Sequence, residues 1–139
     1  MRLCLGFACG YMILGMVEGV IARETTRRKG FDARKAKTTN LLDLHVHTFV
    51  LGMVMFLILS LFAHISDFTG SALFRWFLWI YNIGLLGLLA MLAVRGMLQL
   101  EETKPSKAMD ASLSGTAGLF HAVLCAGFIL LFVILLRVF

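Results

Sequence analysis

Polar side chains inside apolar runs are the first residues to question, because an ionisable group at membrane depth is costly and is usually kept for a function. In this chain of 139 residues they are Glu18, Arg23, Glu24, His45, His47, Arg95, Gln99 and His121. Imidazoles ligate metal ions and haem iron, and guanidinium groups hold anions such as haem propionates. His45 and His47 stand two positions apart, which on a helix turns them about 200° from one another. They cannot readily share one metal ion, unlike the i, i+4 pair of a HExxH zinc helix. Either they serve two different partners, or one is a ligand and the other is not. His64, at the far end of the same run, reads as an interfacial residue.

The elements that must carry these residues follow from composition. The sequence is 60% hydrophobic and only 15% charged, against about half and a quarter in soluble domains, which places it in the membrane class. Four apolar spans, about 3–22, 41–64, 73–100 and 111–136, are each long enough to cross the hydrocarbon layer. They use up the chain, so residues 1–139 form one all-α domain, a four-helix transmembrane bundle. The first span is too long for the h-region of a signal peptide and is read as a helix. Pro105, the only proline, falls in the last connection and interrupts no span. Cys4, Cys9 and Cys125 lie inside apolar runs with no ligand spacing and imply neither a disulfide framework nor a zinc site.

Charge orients the bundle. Seven of the thirteen Lys and Arg residues fall between Arg23 and Lys37, and Lys104 and Lys107 follow the third span, whereas the second connection holds only Asp67. The positive-inside rule then puts the first and third connections in the cytoplasm and both termini outside. A basic run between two apolar spans suits anionic headgroups of the bilayer, not nucleic acid. In this orientation Glu18, Arg23, Glu24, His45, His47, Arg95, Gln99 and His121 all fall in the cytoplasmic half. Glu18, Arg23 and Glu24 should not be freely lipid-exposed, and at least one of them should find a partner there, with Arg95 the expected one across helices.

Depth selects a pair. His47 lies about 9 Å past the start of the second span and His121 about 12 to 15 Å past the start of the fourth, at 1.5 Å per residue. They can sit at one level, and Gly118 and Cys125, three and four positions from His121, suggest that it looks into the bundle. A b-type haem needs axial histidines, an apolar slot and cations for its propionates. His47 and His121 are the candidate axial ligands to the haem iron. His45 is a ligand to a second haem or a polar contact at the rim, and Arg95 and Arg23 are candidate propionate donors. Gly6, Gly10, Gly15 and Gly19 on the first span, with Gly115 and Gly118 on the fourth, allow close helix packing or leave room for a flat cofactor.

Two resemblances bear on this reading. His45-Val46-His47-Thr48-Phe49-Val50-Leu51-Gly52 resembles the haem-ligating helix of haem-copper oxidases, where two histidines bind haems on opposite faces. Along the whole chain, Tyr11, Gly15 and Gly19, Arg23-Glu24-Thr25, Gly30-Phe31, His45-x-His47, Tyr81-Asn82-Ile83-Gly84, Arg95-Gly96 with Gln99, and Ser114-Gly115 with Gly118 and His121 resemble a family of small bacterial four-helix membrane proteins of unknown function. That resemblance implies the four-helix fold and the bacterial inner membrane. It implies an apolar or small residue where Glu18 stands, and it brings no activity.

The expected function is therefore a haem b protein of the membrane that exchanges electrons with quinone or another redox partner, or binds haem or a gas. Two alternatives stand beside it. One is a zinc or copper site built from His47, His121 and Glu18, serving transport or hydrolysis. The other is a structural or partner-binding protein whose polar cluster holds the bundle together. Homo-oligomerisation is compatible with all three, and no enzymatic turnover is implied by any motif.

Overall fold

The computed structural model describes residues 1–30 and 39–138, and they are helical apart from short connections. Four helices are long and apolar enough to cross a membrane: α1 (Arg2–Arg28), α2 (Asn40–Ile65), α3 (Ala72–Leu100) and α4 (Lys107–Val138). Arg34, Lys35 and Lys37 of the basic run, and Phe31, lie outside the described residues. Two helices run beyond their apolar spans because polar residues carry the extra turns. On α1, Glu24 accepts from Arg27 and Arg28 three and four positions on, and the Thr26 hydroxyl returns to the Ala22 carbonyl at 2.8 Å. Such pairs stabilise a solvated turn. On α4, Ser106 accepts from the Met109 amide at 3.2 Å and caps an end that starts four residues before the apolar stretch.

α2 is not uniform. Residues Asn40–His47 and Met55–Ile65 are α-helical, but Thr48–Val54 form a π-helical stretch. There the Met55 amide bonds to the carbonyls of Val50 and Gly52 and passes over Leu51. The released Leu51 carbonyl accepts from the Tyr81 hydroxyl of α3 at 2.7 Å. A π-turn leaves a carbonyl without its intrahelical donor, and here a buried phenol replaces that donor. Gly52 sits against Tyr11 of α1, where a Cβ would come 2.4 Å from the ring. The glycine is thus what lets the aromatic stack of Phe7, Tyr11, Phe56, Phe77 and Tyr81 close at the far end of the molecule.

The helices do not form a closed square. α1 packs along α2, α2 along α3 and α3 along α4, and the extensive packing of α4 is all with α3. Glycines set these seams: Gly15 and Gly19 admit Phe49 and His45, Gly96 admits the Leu41 backbone, and Gly84 and Gly87 admit Leu124 and Phe120. Gly115 and Gly118, by contrast, have nothing within 4 Å of an added Cβ. Lys29 at the end of α1 reaches Glu101 at the end of α3, 3.0 Å away, so these two helix ends share one face of the molecule.

Candidate functional site

On α3, successive residues turn to different neighbours. Arg95 faces α4, where its Nη2 meets Ser114 at 2.8 Å and Asp110 at 3.3 Å. Gly96 faces α2: its carbonyl accepts from the Thr39 hydroxyl at 2.8 Å, and Leu41 lies on its bare Cα. One helical step is about 100°, so α2 and α4 rise from adjacent sides of α3 as two walls above one floor. Between them, at the end where the α1 and α3 termini meet, is a cavity of about 160 Å³. Asn40 contributes the α2 wall, Leu88, Leu92 and Arg95 the floor, and Ala117 and His121 the α4 wall. The Asn40 backbone N–H donates to Gln99 Oε1 at 2.8 Å.

His47 does not line the cavity itself; it stands seven residues beyond Asn40 in a regular α-helical stretch, hence on the same face of α2 and two turns along. It is half-buried, and its Nδ1 lies 2.9 Å from the Asp43 carbonyl oxygen. A carbonyl only accepts, so Nδ1 carries the proton and Nε2 keeps its lone pair. His121 repeats the arrangement, with Nδ1 2.8 Å from the Ala117 carbonyl. No other described residue bonds to either ring. Counting from the Leu41 to Gly96 and Phe120 to Gly87 contacts puts the two rings within about one turn, roughly 5 Å, of one depth.

The other residues singled out in the sequence fall elsewhere. His45 turns to α1, its ring 3.7 Å from a Cβ built on Gly19 and edge-on to Phe49, with a buried Nδ1 that has no partner. Arg23 is exposed on α1 and does not line the cavity. Glu18 accepts from the buried Thr48 hydroxyl at 2.5 Å rather than from Arg95, because Arg95 is turned to α4 and α1 has no place beside it. His121 is also more open than its glycine neighbours suggested. α4 has one packed neighbour, so Leu124, Gly127, Leu131 and Ile134 are buried while Gly118, His121 and Cys125 face outward at the rim.

Sequence reasoning missed Asn40, Thr48, Asp110 and Ser114. Asn40 was within reach, since its spacing of seven from His47 already marks a shared helix face. Among the described residues, no three His, Cys, Asp or Glu side chains converge as a set of metal ligands. The three cysteines are free, with Cys4 buried and Cys9 and Cys125 exposed.

Residues 1–138 match a family described as "Protein of unknown function (DUF2871)". No curated protein and no solved structure matches the chain.

Proposed function

The chain belongs to the DUF2871 family, whose description carries no activity, so its chemistry must be read from its own residues, and we propose that it is a haem b protein of the bacterial inner membrane. The observation that carries this reading is shared by His47 and His121. Each donates Nδ1–H to the carbonyl four residues earlier and leaves Nε2 unbonded; His121 lines the cavity beside α3, and His47 stands two turns beyond Asn40, which lines it from α2. This is the tautomer and the outer-shell contact that an iron-ligating imidazole requires, because the Nδ1 bond fixes the ring and raises its basicity.

At about 160 Å³ the cavity is smaller than a porphyrin, so α2 and α4 would have to part over α3 to admit one; its lining matches the group in two respects. Its floor is apolar at Leu88 and Leu92, and Arg95 stands at one end, where a propionate would compete for the guanidinium now shared by Ser114 and Asp110. His45 faces the other side of α2 and takes no part in this cleft. Haem would supply one-electron redox chemistry, and the residues would hold and orient it. With the positive-inside rule, the cleft opens in the cytoplasmic half and both termini lie outside.

The test is the absorption spectrum and haem content of the full chain purified in detergent after expression with haem supply. Wild type and His45→Ala are expected to carry haem with a low-spin spectrum. His47→Ala and His121→Ala are expected to lose it or turn high-spin. Full haem with an unchanged low-spin spectrum in either of the last two variants would overturn the assignment.

A further inference from the structure

A second, larger hollow lies on the other side of α3, between α1 and α3 in the half of the molecule where α1 begins. It is an open groove of about 540 Å³ with Gly6 and Gly10 exposed on it, large enough to seat a flat ring along the helix surface. Two glycines make it. At Gly6 and Gly10 an added Cβ would meet nothing within 4 Å, unlike Gly15 and Gly19 further along the same helix, which are filled by α2. The walls are otherwise apolar, with Arg2 at the mouth and Tyr11, Asn82 and Leu86 at the inner end.

The inner end holds a polar pair at mid-span. The Tyr11 hydroxyl donates to Asn82 Oδ1, and Asn82 Nδ2 donates to the Leu78 carbonyl at 2.6 Å. Because the Leu78 carbonyl can only accept, the amide nitrogen is fixed on that side, and its second N–H has no partner among the described residues. A spare donor beside an apolar hollow, deep in a membrane span, is costly unless something accepts from it. A hydrocarbon chain cannot accept. A ring carbonyl on a lipid-soluble molecule can.

We propose that this hollow is a binding site for a lipid-soluble quinone, its ring seated over Gly6 and Gly10 and a ring carbonyl accepting from Asn82. Leu86 lines the hollow and Leu88 lines the cavity beside His121, two positions apart and so on opposite sides of α3. One helix, about 10–12 Å across with its side chains, separates the two sites. The pairing of quinone with haem rests on the reading given above, but the binding site does not.

The experiment uses the full chain in lipid nanodiscs and a short-tailed ubiquinone analogue, with affinity measured by isothermal titration. Wild type is expected to bind saturably, Asn82→Leu about tenfold more weakly for the lost hydrogen bond, and Gly10→Leu not measurably. Gly10 faces open space, so Gly10→Leu should keep its thermal midpoint and report on the hollow alone. The His47→Ala, His121→Ala double variant is expected to lose haem and keep quinone binding. No saturable binding by wild type, or unchanged affinity in Gly10→Leu, overturns the proposal. A phospholipid seen by native mass spectrometry, lost in Gly10→Leu and not displaced by the quinone, overturns it as well. Quinone binding by a protein that never takes up haem would remove the haem reading and leave this site standing.

Discussion

Gly96→Ala is the change that most directly probes how the cleft is built. A Cβ at Gly96 would stand 2.4 Å from the Leu41 backbone nitrogen and 2.8 Å from its Cα. Backbone atoms cannot rotate aside, so α2 must move off α3. Overpacking of this kind costs roughly 1–3 kcal/mol. The shift also strains the buried Thr39 hydrogen bond to the Gly96 carbonyl and the Gln99 hold on the Asn40 backbone N–H, adding about 1 kcal/mol. The expected loss is about 2–4 kcal/mol, read from equilibrium unfolding in mixed micelles, with a parallel fall in haem content because Asn40 and His47 move with the start of α2. Gly115→Ala is the control: it has open space for its Cβ and should be neutral or gain about 0.5–1 kcal/mol of helix propensity. If Gly96→Ala is as stable as Gly115→Ala, the α2 to α3 seam is not packed as described.

Three further outcomes follow from named contacts. Thr48→Val should destabilise by about 1–3 kcal/mol, since it keeps the shape of a buried residue but strips Glu18 of its donor, and Glu18→Leu in the same background should recover most of that loss in a double-mutant cycle. Arg95→Leu should change stability by less than about 1 kcal/mol, because its pairing with Asp110 is exposed, yet lower haem affinity severalfold in a haem titration. In a cysteine-free background, a single cysteine at Asp67 should label from outside intact cells and one at Lys29 should not, with the reverse pattern overturning the orientation.

The helical class and the number of spans were legible because they depend on hydropathy summed over some twenty residues, which local packing does not alter. The divergence of His45 and His47 was legible for the same kind of reason: it is a property of helix periodicity, and both residues precede the π-turn. What hydropathy cannot carry is which face of an apolar helix meets a neighbour. In a membrane span every face is apolar, so the stripe that marks a core in a soluble helix is missing. That is why Gly115 and Gly118 read like Gly15 and Gly19, although only the latter two meet a neighbouring helix within 4 Å of an added Cβ. The partner of Glu18 was missed for a related reason. A carboxylate suggests a cation, but the nearest group is a hydroxyl on a helix whose local geometry, the π-turn at Thr48–Val54, has no simple sequence signature.

In the proposed haem protein, imidazoles from α2 and α4 would meet one iron. Near-infrared magnetic circular dichroism of the oxidised protein identifies both axial ligands, and His121→Met replaces one donor by a thioether without emptying the wall. Bis-imidazole ligation is expected in the wild type and imidazole with thioether in His121→Met, with a raised reduction potential. Bis-imidazole ligation that persists unchanged in His121→Met would contradict it.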